Sequence, residues 1–250
     1  MKTTKVLLLV CFIISLNASC FFVDSITSPE FDNGIHGSGI MITEKRLLPY
    51  FDSVQMNTSG DVFVTSSTNQ RITVTVDSNV IEYVYTTVNN RKLQIGIKHG
   101  VQLSNINLTV DVGMIDLEEL CTTSSGDIIG KNKFEADVIV LRTSSSGDIN
   151  LDLKAEKLFS NISSSGDIFV SGSAAEHKAT ISSSGDLHAF NLDTENTKIS
   201  ISSSGDAEVY VTNKLEATLS SSGSLYYKGH PSLAHSVSSS GRIYNANGSF

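Results

Sequence analysis

The chain has 250 residues, with 18 Lys and Arg against 26 Asp and Glu and a formal net charge of −8. That length suits one or two domains with a sizeable core, and the acidic balance argues against a nucleic-acid partner, which needs a basic face to release counterions from phosphate. A hydrophobic content of 40% argues against global disorder, and three Cys are too few for a disulfide scaffold or a four-Cys zinc site.

The first element is an address. Residues 1–20 read as an export signal, with Lys2 and Lys5 at the start and an almost wholly apolar run from Val6 to Leu16 that is too short to span a bilayer comfortably. It ends Leu16-Asn17-Ala18-Ser19-Cys20, which is similar to the lipobox of bacterial lipoproteins. There the Cys becomes the lipidated first residue, so Cys20 is the expected lipidation site. Asn17 departs from the strict pattern, which prefers Leu at that place; the alternative is an ordinary cleaved signal with Cys20 a bystander. Cleavage before Cys20 leaves 250 − 19 = 231 residues and a net charge of 16 − 26 = −10, with Cys121 as the one unmodified thiol. No second apolar run of membrane length follows, so the expected partner is a membrane reached through a lipid anchor and not a membrane span. Residues 20–36 carry Asp, Ser, Pro and Asn without periodicity and read as a tether linker.

The next stretch alternates. Arg71-Ile72-Thr73-Val74-Thr75-Val76-Asp77, Lys92 to Ile97 and Ile106 to Val112 each show the period of two that marks a strand, with a turn signal at Asn89-Asn90. Val80 to Val84 reads as a short helical link.

From there a repeat takes over. Ser-Gly-Asp stands at Gly60-Asp61, Gly126-Asp127, Gly147-Asp148, Gly166-Asp167, Gly185-Asp186 and Gly205-Asp206, each preceded by Ser, and two degenerate copies follow at Gly223 and Gly241. From Gly126 the spacings are 21, 19, 19, 20, 18 and 18 residues. The gap from Gly60 to Gly126 is 66, close to three periods, and Ser38-Gly39 reads as a worn first copy. Aligned on Gly, the even offsets are apolar or small: Val62, Ile128, Ile149, Ile168 and Leu187 two residues after it, and Met56, Ile162, Ile181 and Ile201 four before it. Odd offsets are mostly polar.

A strand pattern recurring at this period predicts an all-β fold, a parallel β-helix (solenoid) with coils of about 19 residues stacked at roughly 4.8 Å. One coil cannot bury its own apolar row, and stacking makes that row continuous. Helix is excluded by repeated Ser-Ser-Ser-Gly, and a propeller needs blades of about 40 residues. A β-sandwich is the runner-up. The recurring Gly turns a corner, either through positive φ or because inward space is tight, and the inward Ser beside it fills the same corner. The irregular first half reads as coils with longer excursions or as a β-rich cap, and the last coils lose Asp and gain Tyr226, Tyr227 and Tyr244 as a stack does at its end.

These residues carry a resemblance. Gly37-Ser38-Gly39, Phe51-Asp52-Ser53-Val54, Thr58-Ser59-Gly60-Asp61-Val62, Arg91-Lys92-Leu93-Gln94-Ile95, Leu117 to Asp127 and the following Ser-Ser-Gly-Asp coils make the sequence similar to the "putative auto-transporter adhesin, head GIN domain" family of exported bacterial proteins. The resemblance implies a right-handed coil and an adhesive role for a domain over 37–250, which follows the lipoprotein signal read at 1–19 and the linker at 20–36. It supplies no catalytic motif.

The chemistry of the residues follows the repeat. Asp61, Asp127, Asp148, Asp167, Asp186 and Asp206 are expected to stack on one outer face, where carboxylates about 4.8 Å apart repel by roughly 1 kcal/mol in water. Either each Asp caps backbone N–H groups at its corner, or the ladder forms a cation or ligand face holding Ca²⁺ between coils. No other cofactor is expected. His36, His99, His177, His188, His230 and His235 lack metal spacing, and no G-x-S-x-G appears, so a polysaccharide-active enzyme on this scaffold is the weakest reading. Binding to a glycan or to an envelope or host protein is the better class, with Tyr210, Tyr226, Tyr227 and Tyr244 either stacking on sugars or covering the end of the core. Envelope scaffolding through exposed coil edges is a third. The expected location is the cell envelope, anchored at the outer membrane.

Overall fold

The computed structural model describes residues 34–248. The export signal, Cys20 and most of the linker lie outside the described residues.

The alternation predicted for the repeats produces long strands that pair in parallel, each with the next: Phe134–Thr143, Ile149–Ile162, Ile168–Ile181, Leu187–Ile201 and Ala207–Leu219. Equivalent residues stand directly above one another. One inward column runs Val110, Val62, Ile128, Ile149, Ile168, Leu187, Ala207, Leu225, Ile243. A second runs Ile95, Met56, Thr122, Thr143, Ile162, Ile181, Ile201, Leu219, Val237. Within these columns every member from Val110 to Leu225 and from Ile95 to Leu219 is buried. The chain is thus a parallel β-solenoid whose core is a set of apolar ladders. Each fully buried Ile or Leu contributes about 1.5–3 kcal/mol over an exposed one, and it does so only because a neighbouring coil covers it.

Tight space, and not positive φ, explains the repeated Gly. Only Gly60 among them has positive φ, at 116°. At Gly147, Gly166, Gly185, Gly205 and Gly223 a Cβ would run into the carbonyl oxygen of the Gly one coil back. The main chains stack there directly, Gly166 N–H donating to Ser145 O at 2.9 Å and Gly185 N–H to Ser164 O at 3.0 Å. The Ser two before each Gly therefore contributes its carbonyl, and it is half-buried, not inward as the alternation suggests. The hydroxyl bonds come from the Ser three before Gly: Ser144, Ser163, Ser182 and Ser202 each donate Oγ–H to a carbonyl one coil back, at 3.2–3.4 Å.

The first half departs from sequence order. Strands Ser53–Met56 and Asp61–Ser66 form a coil that lies between two others. On one side it pairs with Lys92–Ile97 and Thr109–Met114, on the other with Glu119–Thr122 and Asp127–Gly130. Asp61 is in register with Asp127. No coil therefore lies between Gly60 and Gly126 in the stack; the 66-residue gap holds the coil on the far side of Gly60, together with the antiparallel strands that cap it, and then returns. Arg71–Asp77 runs antiparallel to Thr109–Met114, Met41–Arg46 antiparallel to Arg71–Asp77, and Val84–Asn89 antiparallel to Lys92–Ile97. Strand Ile106 to Val112 begins later than its pattern suggests, at Thr109. The expected helical link is a 3-10 turn at Ile81–Tyr83. Gly39, with φ 73°, sits in the cap where its N–H donates to Asp77 Oδ1 at 2.7 Å, and is not a worn coil corner.

The cap hairpin turns at Asn90 and Arg91, both with positive φ, the type I′ geometry that matches strand twist. Arg91 pairs with the buried carboxylate of Asp52 and places its guanidinium 5.8 Å from the Tyr50 ring centroid. At the other end Ser232–Val237 and Arg242–Asn245 lie on Lys214–Leu219 and Ser224–Tyr227, and no described strand pairs with their far edges.

Candidate binding surface

The Asp ladder forms at the Gly corner. Each Oδ1 accepts the backbone N–H of the equivalent residue one coil on: Asp127 from Asp148 at 2.9 Å, Asp148 from Asp167 at 2.8 Å, Asp167 from Asp186 at 2.7 Å, Asp186 from Asp206 and Asp206 from Ser224 at 2.6 Å. Asp61 pairs in register with Asp127 at the head of the same ladder. One oxygen of each of the five is committed to the main chain. Asp148 has its pKa raised, by desolvation first and then by repulsion from Asp167 and Asp127. Among the described residues no group of three or more His, Cys, Asp or Glu side chains is placed to hold a metal ion.

Beside this ladder runs an aromatic column. Three residues after each Gly stand Phe63, Ile129, Asn150, Phe169, His188, Glu208, Tyr226 and Tyr244, in register on the outer face. Phe169 stacks on His188 with centroids 4.6 Å apart, and Tyr226 on Tyr244 at 5.0 Å. His188 Nδ1 lies 3.3 Å from Glu208 Oε2. Lys228 covers Phe190 at 4.2 Å and Lys131 covers Phe63 at 3.5 Å. Each of these rings thus commits one face to a neighbouring ring or to an ammonium group. Tyr227 instead packs against the core. Phe169 and Phe190 are not singled out by the sequence reading, and His188 is noted there only as lacking metal spacing, although offsets of three and five from Gly carry all three.

On another side, a groove of about 390 Å³ crosses four coils. Its walls are two outward columns, Lys157, Glu176, Asn196, Lys214 and Phe159, Lys178, Lys198, Glu216. Its floor is the chain at Leu158, His177 and Thr197, whose side chains turn inward and are buried. Lys157 lies 3.7 Å from Glu176, while Lys198 and Lys214 hold Glu216 at 3.3 and 2.6 Å. These two lysines, Lys214 first, keep the Glu216 carboxyl below its ordinary pKa.

Beneath the floor lies a polar pair. Ser160 Oγ is 3.0 Å from His177 Nε2, and His177 Nδ1 has no partner. Burial holds the His177 pKa at about 4, so the imidazole is neutral at pH 7. The pair has the residue types of a nucleophile and its base, yet both side chains are enclosed in the core, at 1% and 2% exposure.

These features define a parallel β-solenoid repeat protein that carries varied outer columns on a stack of buried, mostly apolar ladders. The chain belongs to the family described as "putative auto-transporter adhesin, head GIN domain", whose profile matches residues 50–231. The match spans the coils and stops before Ser232–Val237. The fold is shared with the crystal structure of a putative adhesin from Bacteroides fragilis, at 22% identity, TM-score 0.81, covering 85% of this chain and 100% of that one. It is shared with a putative lipid binding protein from Parabacteroides distasonis, at 24% identity, TM-score 0.72, covering 84% and 98%. A putative adhesin from Parabacteroides merdae matches at 24% identity, TM-score 0.70, again covering 84% and 98%. No curated protein matches the chain.

Proposed function

We propose that this protein is a non-enzymatic, adhesin-like binding protein of the cell envelope, exported and held to the outer membrane by lipid on Cys20. The observation that carries the reading is the contrast between columns. Inward columns stay apolar or small from coil to coil, mostly Ile, Leu and Val with Met56, Thr122, Thr143 and Ala207 among them, while the outward column from Asn150 through Phe169, His188, Glu208 and Tyr226 to Tyr244 changes chemistry at every step but the last. A fixed scaffold with a varied exterior suits recognition of an extended ligand, and the family's adhesin description supports it. The reading is tested in cells. Deleting the gene should lower attachment to host or neighbouring-cell surfaces, and restoring the chain with Cys20→Ser should fail to incorporate labelled lipid and fail to restore attachment. Unchanged attachment in the deletion strain overturns the adhesive role, and lipid incorporation into the Cys20→Ser chain overturns the anchor.

A second reading is envelope scaffolding. It is favoured by the far edges of Ser232–Val237 and Arg242–Asn245, with which no described strand pairs, since open strand edges recruit further strands. Light scattering of the purified chain separates the two: a monomer at all concentrations rejects scaffolding through this edge.

A further inference from the structure

We infer that the groove between the Lys157 and Phe159 columns is a binding site for an acidic polysaccharide, taking the carboxylate or sulfate groups of a chain laid along the solenoid axis. The inference rests on the binding role proposed above and names its ligand class.

Charge is the first argument. The whole chain carries −8, yet the groove gathers Lys157, Lys178, Lys198 and Lys214 against only Glu176 and Glu216, a local sum of 4 − 2 = +2. Lys178 makes no ion pair with any described residue. The other lysines are committed only to surface pairs, and exposed pairs are worth about 0–1 kcal/mol, so an incoming anion can recruit them at small cost. Lys178 and Lys198 are one coil apart in register, roughly 4.8 Å along the stack, a span that lets one carboxylate or sulfate contact both ammonium groups.

Shape is the second. The groove is concave, and its floor is main chain backed by buried side chains, so the ligand meets a rigid base. Phe159 adds a half-buried ring in the same wall, against which the apolar face of a sugar can lie. The basic stretch is also bounded. In register beyond Lys157 and Phe159 stand Val138 and Val140, and beyond Lys214 and Glu216 stand Ser232 and Ala234. Four coils amount to about three steps of 4.8 Å, or roughly 14 Å, which fits a few sugar units. A long nucleic acid of far higher charge density would leave this stretch and meet an acidic body.

The experiment uses the purified chain with polygalacturonate, dextran sulfate, neutral dextran and single-stranded DNA, at about 0.05 and 0.3 M salt, a range over which screening tightens markedly. Polygalacturonate or dextran sulfate is expected to bind, more weakly at high salt, and Lys178→Gln with Lys198→Gln should lower affinity at least tenfold. Lys133→Gln with Lys154→Gln, an equal charge change outside the groove, should leave it unchanged. The inference is overturned if neither acidic polymer binds, if both variant pairs weaken binding equally, or if neutral dextran or DNA binds as tightly as the acidic polymers. Any of those outcomes with attachment by cells intact rejects the groove and leaves the adhesive reading standing.

Discussion

The backbone N–H of Asp186 donates to the Oδ1 of Asp167 at 2.7 Å. This bond, repeated along the corner, lets carboxylates of like charge stack. The main-chain donor offsets a repulsion of roughly 1 kcal/mol per neighbour. Asp167→Asn keeps an acceptor and removes the charge, so it should be at least as stable as the native chain at low salt. Asp167→Ala strands the N–H and should fall below Asp167→Asn by about 1 kcal/mol. Urea denaturation at two salt concentrations checks both, since added salt should stabilise the native chain more than the Asn variant.

Gly166→Ala should be costly and Gly39→Ala mild. A methyl at Gly166 meets Gly147 O and, at 2.7 Å, Ser145 O, and both are main chain held by the coil below. Forcing the coils apart should cost about 1–3 kcal/mol or more. Gly39 has open space around its Cβ position but positive φ, so its cost is the left-handed penalty of about 1–2 kcal/mol. Melting temperatures of the two variants give the comparison.

His177 makes stability depend on pH. Burial lowers its folded pKa to about 4 from 6.5, so between these values the unfolded chain binds the extra proton. Stability from the neutral imidazole is complete above pH 6.5 and is lost as pH falls toward 4, by an amount of order 3 kcal/mol. The double variant His177→Leu with Ser160→Ala removes the titrating group and its hydroxyl partner together. It should flatten the pH 4–6.5 slope and stay within about 1 kcal/mol of the native chain at pH 7, as read by denaturation at each pH.

Arg91 sets backbone strain against charge. Replacing it with Gly relieves the positive φ but leaves the buried Asp52 carboxylate without its guanidinium; the Arg91 side chain is itself 60% exposed, so the loss is that of one buried acceptor's partner, about 1–3 kcal/mol. Arg91→Gly should therefore destabilise, and adding Asp52→Asn should restore most of the loss. A thermal-unfolding series of the singles and the double tests this coupling.

The solenoid was legible because the Gly corner and the alternation around it are set by one local geometry. Ile149, Ile168 and Leu187 hold the same phase because their main chains touch at the corner. The order of the first coils was not legible. Arg71–Asp77 alternates like a coil strand, and only its antiparallel pairing with Thr109–Met114 makes it a cap. The groove was missed for a different reason. Register slips between Phe169 and Ser171 and between Ala189 and Asp193 break the count from the preceding Gly. Counted back from the following Gly, Lys157, Glu176, Asn196 and Lys214 all fall nine residues before it. The aromatic column lay within reach of the alignment, and its stacked rings are visible only once register is known.

The intercalated first coil concentrates the loop-closure cost. Asp61 and Asp127 meet across 66 residues, while each later rung meets its predecessor across 18 to 21. Closing that first long loop is the entropically expensive event. Each further rung then needs a closure of only 18 to 21 residues against a coil already in place, so on loop entropy alone the first coil is the costly one and the later coils are cheap additions to it.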